Sequence, residues 1–169
     1  CAVLEAIIPV VRTMGQSMSS HLPVLCEIIR QCTTPGSPHF AFTHEDGLRL
    51  WEAILECVAT VEEPLFQMFS HLRRHILYTF DGLPLSLNVL NQYIMIPHTP
   101  FVQHEFDGIM EVFTVCMQNV GREDGREDVL KSLDLFVQRM FSTAPAFPHV
   151  PQRNSDGLVN LLKSVLTVC

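Results

Sequence analysis

The chain has 169 residues, of which 47% are hydrophobic and only 17% charged, so it can bury a core and is not an intrinsically disordered tail. Ordinary soluble domains carry about 25% charged residues, and the shortfall leads us to expect a fragment of a longer chain. Eleven Lys and Arg against eighteen Asp and Glu give a net charge of -7, which argues against binding nucleic acid through its phosphates and favours basic protein partners.

Apolar residues recur at helical spacing along nearly the whole chain, and no segment shows convincing strand alternation. The stripes that predict helices are, in chain order, Leu4, Ile7, Ile8, Val11 and Met14; Leu22, Leu25 and Ile29; Leu48, Trp51, Leu55 and Val58; Leu65, Phe69, Leu72 and Ile76; Leu83, Leu87, Leu90 and Ile94; Val102, Phe106, Ile109, Phe113, Cys116 and Val120; Leu130, Leu133, Val137 and Met140; Leu158, Leu161, Leu162 and Val165. The stripe within 100–120 follows the spacing without a miss and predicts the clearest helix. Trp51, Phe106 and Phe113 share these phases, so we expect them in the core.

Helix boundaries carry local signals. Thr43 followed by Asp46, and Thr60 followed by Glu63, predict capping boxes at two helix starts. Breaks between helices are expected at 33–42, 121–128 and 143–154. The break at 121–128 is a tandem Gly-Arg-Glu-Asp repeat, for which a solvated loop is favoured over a contact site because charged runs usually face water.

Short and long connections alternate, which groups the helices as antiparallel pairs over 2–32, 44–79, 83–120 and 124–169. A pair of about 40 residues matches the period of HEAT or armadillo repeats. We therefore predict an all-α fold, with 1–169 forming a single array, an α-solenoid of about four HEAT-like helix pairs. The low charge agrees with this fold, since each end repeat would bury one face on a neighbour outside this sequence.

One helix carries two histidines at a spacing that could chelate zinc. His71 and His75 are four residues apart and share a helix face. The segment lacks the glutamate of the HExxH motif and a third ligand, and the positive charges of Arg73 and Arg74 oppose a bound cation. We therefore expect two surface histidines and no metal site.

The six cysteines are scattered without a CxxC motif, and most occupy helical apolar positions. Such cysteines are expected to be reduced and buried, which indicates the cytosol or nucleus. Cys26 and Cys32 could be grouped with His21 or His39, but the gap between the two cysteines fits no usual zinc spacing. Core thiols are the favoured interpretation.

Catalytic and membrane signals are also missing from the sequence. It contains no GxSxG motif, no glycine-rich phosphate loop and no Cys beside a plausible base, and Glu62 and Glu63 are expected in the first turn of a helix. No uncharged apolar run reaches the roughly 18 residues of a membrane span. The sequence thus predicts no enzyme, no catalytic residue, no cofactor and no membrane insertion.

Three segments resemble a known family. The segment EDGLRLW at 45–51 is similar to a helix of the importin-β superfamily, in its importin eleven branch, and the Pro- and His-containing loop at 35–42 precedes it as in that branch. Downstream, the segments NQYI at 91–94 and TPFVQ at 99–103 resemble the branch's N-x-Y-I segment and T-x-F-x-Q helix. The resemblance spans 25–140.

This resemblance implies a karyopherin, which is a HEAT solenoid that wraps protein cargo, binds FG-repeat nucleoporins and shuttles between nucleus and cytoplasm under the control of the GTP-bound GTPase Ran. The segment would lie in the C-terminal half. No counterpart of the Ran-binding repeats is present, so the residues that contact Ran or cargo stay unassigned. An acidic helical surface suits basic import signals. The alternative is a HEAT-repeat scaffold or adaptor for complexes unrelated to transport.

Overall fold

The computed structural model describes residues 2–97, 99–120 and 123–142, and these residues form helices and turns without a strand. The helices are α1 (Ala2–Met14), a 3-10 helix (Gly15–His21), α2 (Leu22–Thr33), α3 (Phe40–Cys57), α4 (Glu63–Tyr78), α5 (Leu83–Met95), α6 (Thr99–His104), α7 (Phe106–Asn119) and α8 (Glu123–Ser142). The predicted all-α class is confirmed, and the helix predicted around 158–165 lies outside the described residues. The described chain divides into two compact units, one ending at Pro97 and one beginning after it.

Helices of the first unit pack in two layers. In one layer α3 lies between α1 and α5, and in the other α2 packs on α4. The layers meet where α3 packs on α2. Because α3 has neighbours on several sides, it buries far more than a single stripe. Its buried residues are Asp46, Gly47, Leu48, Leu50, Trp51, Ala53, Ile54 and Leu55. Stacking of alternate helices in two layers is the arrangement of an α-solenoid.

Helices α2 and α3 approach each other closely at Gly47. A Cβ atom at this position would lie 2.8 Å from the Cβ of Cys32 and 2.9 Å from the Cγ2 of Thr33. Carbon atoms in contact prefer about 3.5–4.0 Å, so a larger residue would not fit without movement. Glycine is therefore required here for packing, in the interior of a helix where it is otherwise unfavourable.

In the second unit, α7 packs against α6 and α8. The single helix predicted over 100–120 is interrupted at Glu105, which separates α6 from α7. Glu105 still accepts a hydrogen bond from the N–H of Ile109 and donates one to the carbonyl of Phe101, so the apolar phase continues through the break. All six residues of the predicted stripe are buried. Phe106 and Phe113 lie in this core, as predicted, with ring centroids 5.6 and 5.9 Å from that of Phe136.

Neither predicted capping box forms. Helix α3 begins at Phe40, so Thr43 lies inside it and donates its hydroxyl to the carbonyls of His39, at 3.0 Å, and Cys32, at 3.3 Å. Helix α4 has Glu62, not Thr60, at its N-cap. The Thr43 hydroxyl shows why the first prediction failed, because a hydroxyl near a helix start can also bond back to a carbonyl of the preceding turn, and local sequence does not decide between that bond and a cap.

Helix α8 begins earlier than its sequence suggested. The solvated loop predicted for 121–128 is wrong over 123–128, which forms the first turns of α8, and Gly121 and Arg122 lie outside the described residues. The Arg126 guanidinium donates to the Val120 carbonyl at 2.9 Å. Leu130, expected in the apolar stripe, is exposed, while the adjacent Val129 is buried, so the core face of α8 is rotated by one position from the predicted one.

Candidate functional site: a polar cluster between α2, α3 and α4

The histidine pair of α4 lies in the core of the first unit. His71 is 8% exposed and His75 is fully buried, so the expectation of surface histidines is wrong. Helix α4 packs on α2 through the face that carries both imidazoles. Burial without loss of hydrogen bonding requires partners for the ring nitrogens, because an unpaired buried polar group is costly.

Both imidazoles bond to Thr33, the last residue of α2. The Nε2 of His71 lies 2.8 Å from the Thr33 hydroxyl oxygen, and the Nδ1 of His75 lies 3.1 Å from the Thr33 carbonyl. The same hydroxyl donates to the carbonyl of Ile29 at 2.8 Å, so its proton is already used. His71 must therefore donate from Nε2, and His75 from Nδ1. Carbonyls in the last turn of a helix lack intrahelical partners, and His75 supplies a donor for the last carbonyl of α2.

Burial keeps the two rings neutral. Burial, with smaller contributions from the neighbouring His75, Arg30 and Arg74, lowers the pKa of His71 to about 4. Burial also lowers the pKa of His75, against an opposing contribution from its bond to Thr33. At neutral pH the cluster thus contains donors and acceptors without a net charge.

A third imidazole completes the cluster. His44 of α3 stacks on Phe40 with 4.8 Å between ring centroids and lies 6.5 Å from the ring of His75. Its Nδ1 is 2.9 Å from the carbonyl of Phe40. The described part of the chain contains no group of three His, Cys, Asp or Glu side chains arranged to hold a metal ion. The cluster therefore links three helices by hydrogen bonds and ring stacking.

A second buried polar contact joins α3, α4 and α5. The indole N–H of Trp51 donates to the Tyr93 hydroxyl at 3.1 Å, and this hydroxyl donates to the carbonyl of Leu65 at 2.8 Å. Trp51 and Tyr93 are both fully buried, which confirms the predicted core position of Trp51. Sequence reasoning placed the tryptophan but did not find its partner, which lies 42 residues away.

The cysteines do not join the histidine cluster. Cys26 and Cys116 are buried free thiols, and burial raises their pKa values to about 11 and about 12. Cys32 and Cys57 are free and partly buried. His21 and His39, considered with Cys26 and Cys32 as a metal site, are exposed. Cys1 and Cys169 lie outside the described residues. The expectation of core thiols is confirmed for Cys26 and Cys116.

No described helix combines the length and apolarity needed to cross a membrane. Glu62 and Glu63 lie at the start of α4, as predicted, where the positive end of the helix dipole favours carboxylates. Glu62 also accepts a hydrogen bond from the hydroxyl of Ser19 at 2.7 Å, which joins α4 to the 3-10 helix.

Helices stacked in two layers, each packed on its neighbours, are the architecture of an α-helical repeat protein. Comparison with known families identifies the branch. A family model described as "Importin-11-like, TPR repeats" matches residues 1–167. The chain therefore belongs to the importin-11-like family, within the importin-β superfamily, and the resemblance seen in the sequence is confirmed. TPR and HEAT repeats are both built from helix pairs.

Two curated relatives share this family. The chain is 26% identical over 134 residues to Importin-11 of Homo sapiens and 27% identical over 134 residues to Importin-11 of Mus musculus. Each alignment covers 79% of this chain but 14% of the relative, so the chain spans a small part of the relatives' length. A search of solved structures gives no match.

Proposed function

We propose that the chain is part of a nuclear import receptor, which binds protein cargo and carries it through the nuclear pore under the control of GTP-bound Ran. The observation that carries this proposal is the family match over residues 1–167. The resemblance of the sequence implies that Ran would bind other parts of the parent chain and that this segment would lie in the C-terminal half of the receptor, of whose relatives the chain covers 14%. Contacts with FG-repeat nucleoporins and shuttling between nucleus and cytoplasm belong to the same proposal.

The charge distribution supports basic cargo. The chain carries a net charge of -7, and several of its arginines are paired with carboxylates. Arg12 lies 3.0 Å from Glu56, and Arg49 lies 3.5 Å from Glu45. Such pairs neutralise the basic side chains and leave carboxylates in excess on the surface. A negative surface raises the association rate of basic segments and makes their binding sensitive to salt.

Release of cargo by Ran is the test of this proposal. The parent chain is immobilised and loaded with proteins from a cytosolic extract, then washed with Ran locked in its GTP form or, as the matched control, with Ran bound to GDP. We expect the GTP form to release a defined set of bound proteins that the GDP form leaves in place. Mass spectrometry of the two eluates measures the difference.

A second arm assigns the role of this segment. The same experiment uses a parent chain that lacks residues 1–169, and retained binding of GTP-bound Ran shows that the remaining repeats still fold. Loss of cargo with Ran binding retained would place cargo contacts in the segment. Indifference of the intact parent chain to Ran would contradict the transport function and favour a scaffold or adaptor that binds its partners independently of nucleotide.

A further inference from the structure

A small pocket opens on the first unit between the end of α2 and one face of α4. Its volume is about 240 Å³. The residues that line it include Arg30, Thr34, Gln67, Ser70, His71 and Arg74. The four lining residues on α4 are spaced three and four apart, so they share one helix face. The pocket therefore lies on the packed α2–α4 layer, at the start of the connection that follows α2.

Two guanidinium groups line this pocket and no carboxylate does. Arg74 is exposed and forms no hydrogen bond or ion pair with any residue that the structure describes. Arg30 is held in place by two contacts, one from Nη2 to the sulfur of Met68 at 3.5 Å and one from Nη1 to Glu27 at 2.9 Å. One guanidinium is thus positioned by the fold, while the other has its donors available.

The remaining polar groups around the pocket are already engaged or neutral. Glu27, outside the lining, accepts hydrogen bonds from Arg30 and Gln31. Glu63 accepts from the amide of Gln67 at 2.9 Å and does not line the pocket either. The buried ring of His71, which bonds to Thr33 from Nε2, adds no charge at neutral pH. The donors that remain are therefore those of Arg74 and the N–H groups of Arg30 that do not bond to Glu27 or Met68.

We propose that this arginine pocket, defined by Arg30 and Arg74 with the α4 face between Gln67 and Arg74, binds an anionic side chain of a protein partner. Guanidinium groups recognise carboxylates and phosphate groups through paired hydrogen bonds. The volume is below the range of about 300–1,000 Å³ usual for small-molecule sites, which fits the head of one side chain better than a cofactor. A net charge of -7 disfavours a nucleic-acid backbone as the source of the anion.

This inference goes beyond the proposed function, because the partner group it names has the opposite charge to the basic cargo favoured by the chain as a whole. A receptor or a scaffold could use the pocket equally. A partner that carries both a basic segment and an anionic side chain would be held at two points, and its register on the surface would be fixed by the pocket.

The test measures binding of labelled peptides to the full chain by fluorescence anisotropy, without Ran. Three glycine–serine peptides differ only at their centre, which is a glutamate, a phosphoserine or an uncharged glutamine. We expect at least one charged peptide to bind more tightly than the glutamine peptide. Arg74→Gln should weaken that binding by about tenfold or more, since charge-assisted hydrogen bonds are lost. The charged peptide that binds more tightly shows whether the pocket prefers a carboxylate or a phosphate group.

Two further variants separate a local site from general electrostatics. Arg49→Gln removes the same charge from an exposed side chain of α3 that is not part of the pocket. This variant should change the peptide affinity by less than about twofold, because it alters only a screened surface charge. Ser70→Glu places a carboxylate four residues before Arg74 on α4, where it can pair with that arginine and should block binding.

Equal binding of all three peptides would overturn the inference, as would equal loss in the Arg74 and Arg49 variants. Because Ran takes no part in this assay, its result is independent of the test of the transport function.

Discussion

Replacing Gly47 by alanine tests the close approach of α2 and α3. In an exposed helix this change stabilises by about 1 kcal/mol, because alanine is the better helix former. Here the new Cβ would lie 2.8 Å from the Cβ of Cys32 and 2.9 Å from the Cγ2 of Thr33. Both neighbours are close to the α2 backbone, so the overlap can be relieved only if the helices separate. Overpacking costs about 1–3 kcal/mol, and after the gain of about 1 kcal/mol in propensity we expect a net loss of up to about 2 kcal/mol.

The free energy of unfolding can be measured in urea by the fluorescence of Trp51, which is the sole tryptophan and lies in α3 next to the perturbed contact. Ala6→Gly on the exposed side of α1 measures the propensity difference in the same chain. Cys32→Gly removes one of the two overlapping atoms, so it should cost less stability in the Gly47→Ala background than in the original chain. If Gly47→Ala instead stabilised the chain by about 1 kcal/mol, propensity alone would explain it and the close approach would be refuted.

Two other predictions concern the buried polar contacts. Tyr93→Phe should lower the free energy of unfolding by about 2–4 kcal/mol, because the N–H of Trp51 and a backbone carbonyl both lose their buried partner. Tyr78→Phe, on a side chain that is 68% exposed, should change it by less than about 0.5 kcal/mol, and similar losses in the two variants would contradict the buried contact. Acidification should destabilise the first unit, since unfolded His71 gains a proton near pH 6.5 and the folded state resists protonation down to about pH 4. Between these values the contribution falls by about 1.4 kcal/mol per pH unit. His71→Gln should remove this part of the slope in pH-dependent urea melts and His39→Gln should not, so an unchanged slope in the first variant would argue against a depressed pKa.

Much of the core was predictable from spacing alone. The stripe of α4 at Leu65, Phe69, Leu72 and Ile76 is buried at every position. Apolar residues at helical spacing favour a helix that buries the apolar face. This holds whichever neighbouring helix packs against that face. The stripe within 100–120 was also predicted correctly although the helix is interrupted at Glu105. The helical spacing of its apolar residues continues across the interruption, so the same face stays buried.

The polar interior was not predictable from the same reasoning. His75 lies three residues after Leu72, so its phase on α4 was a usable signal of burial that the charged Arg73 and Arg74 obscured. Its partner Thr33 could not have been found, because that contact depends on how α4 docks on α2. The start of α3 was also missed, because Thr43 bonds back to the carbonyl of His39 in the preceding turn instead of capping the helix.

The two polar contacts have a common geometry that bears on how such an array works. Thr33 bonds to His71 across 38 residues and Trp51 to Tyr93 across 42, so each contact joins two helices of the same layer, α2 to α4 and α3 to α5. Apolar stripes are non-directional and allow neighbouring helices to slide or rotate at low cost. A buried hydrogen bond has a narrow range of distance and angle, and breaking it leaves an unpaired polar group. The two contacts thus fix the register of successive helices within each layer. Because they are neutral at pH 7, they do so without the desolvation penalty of a buried ion pair.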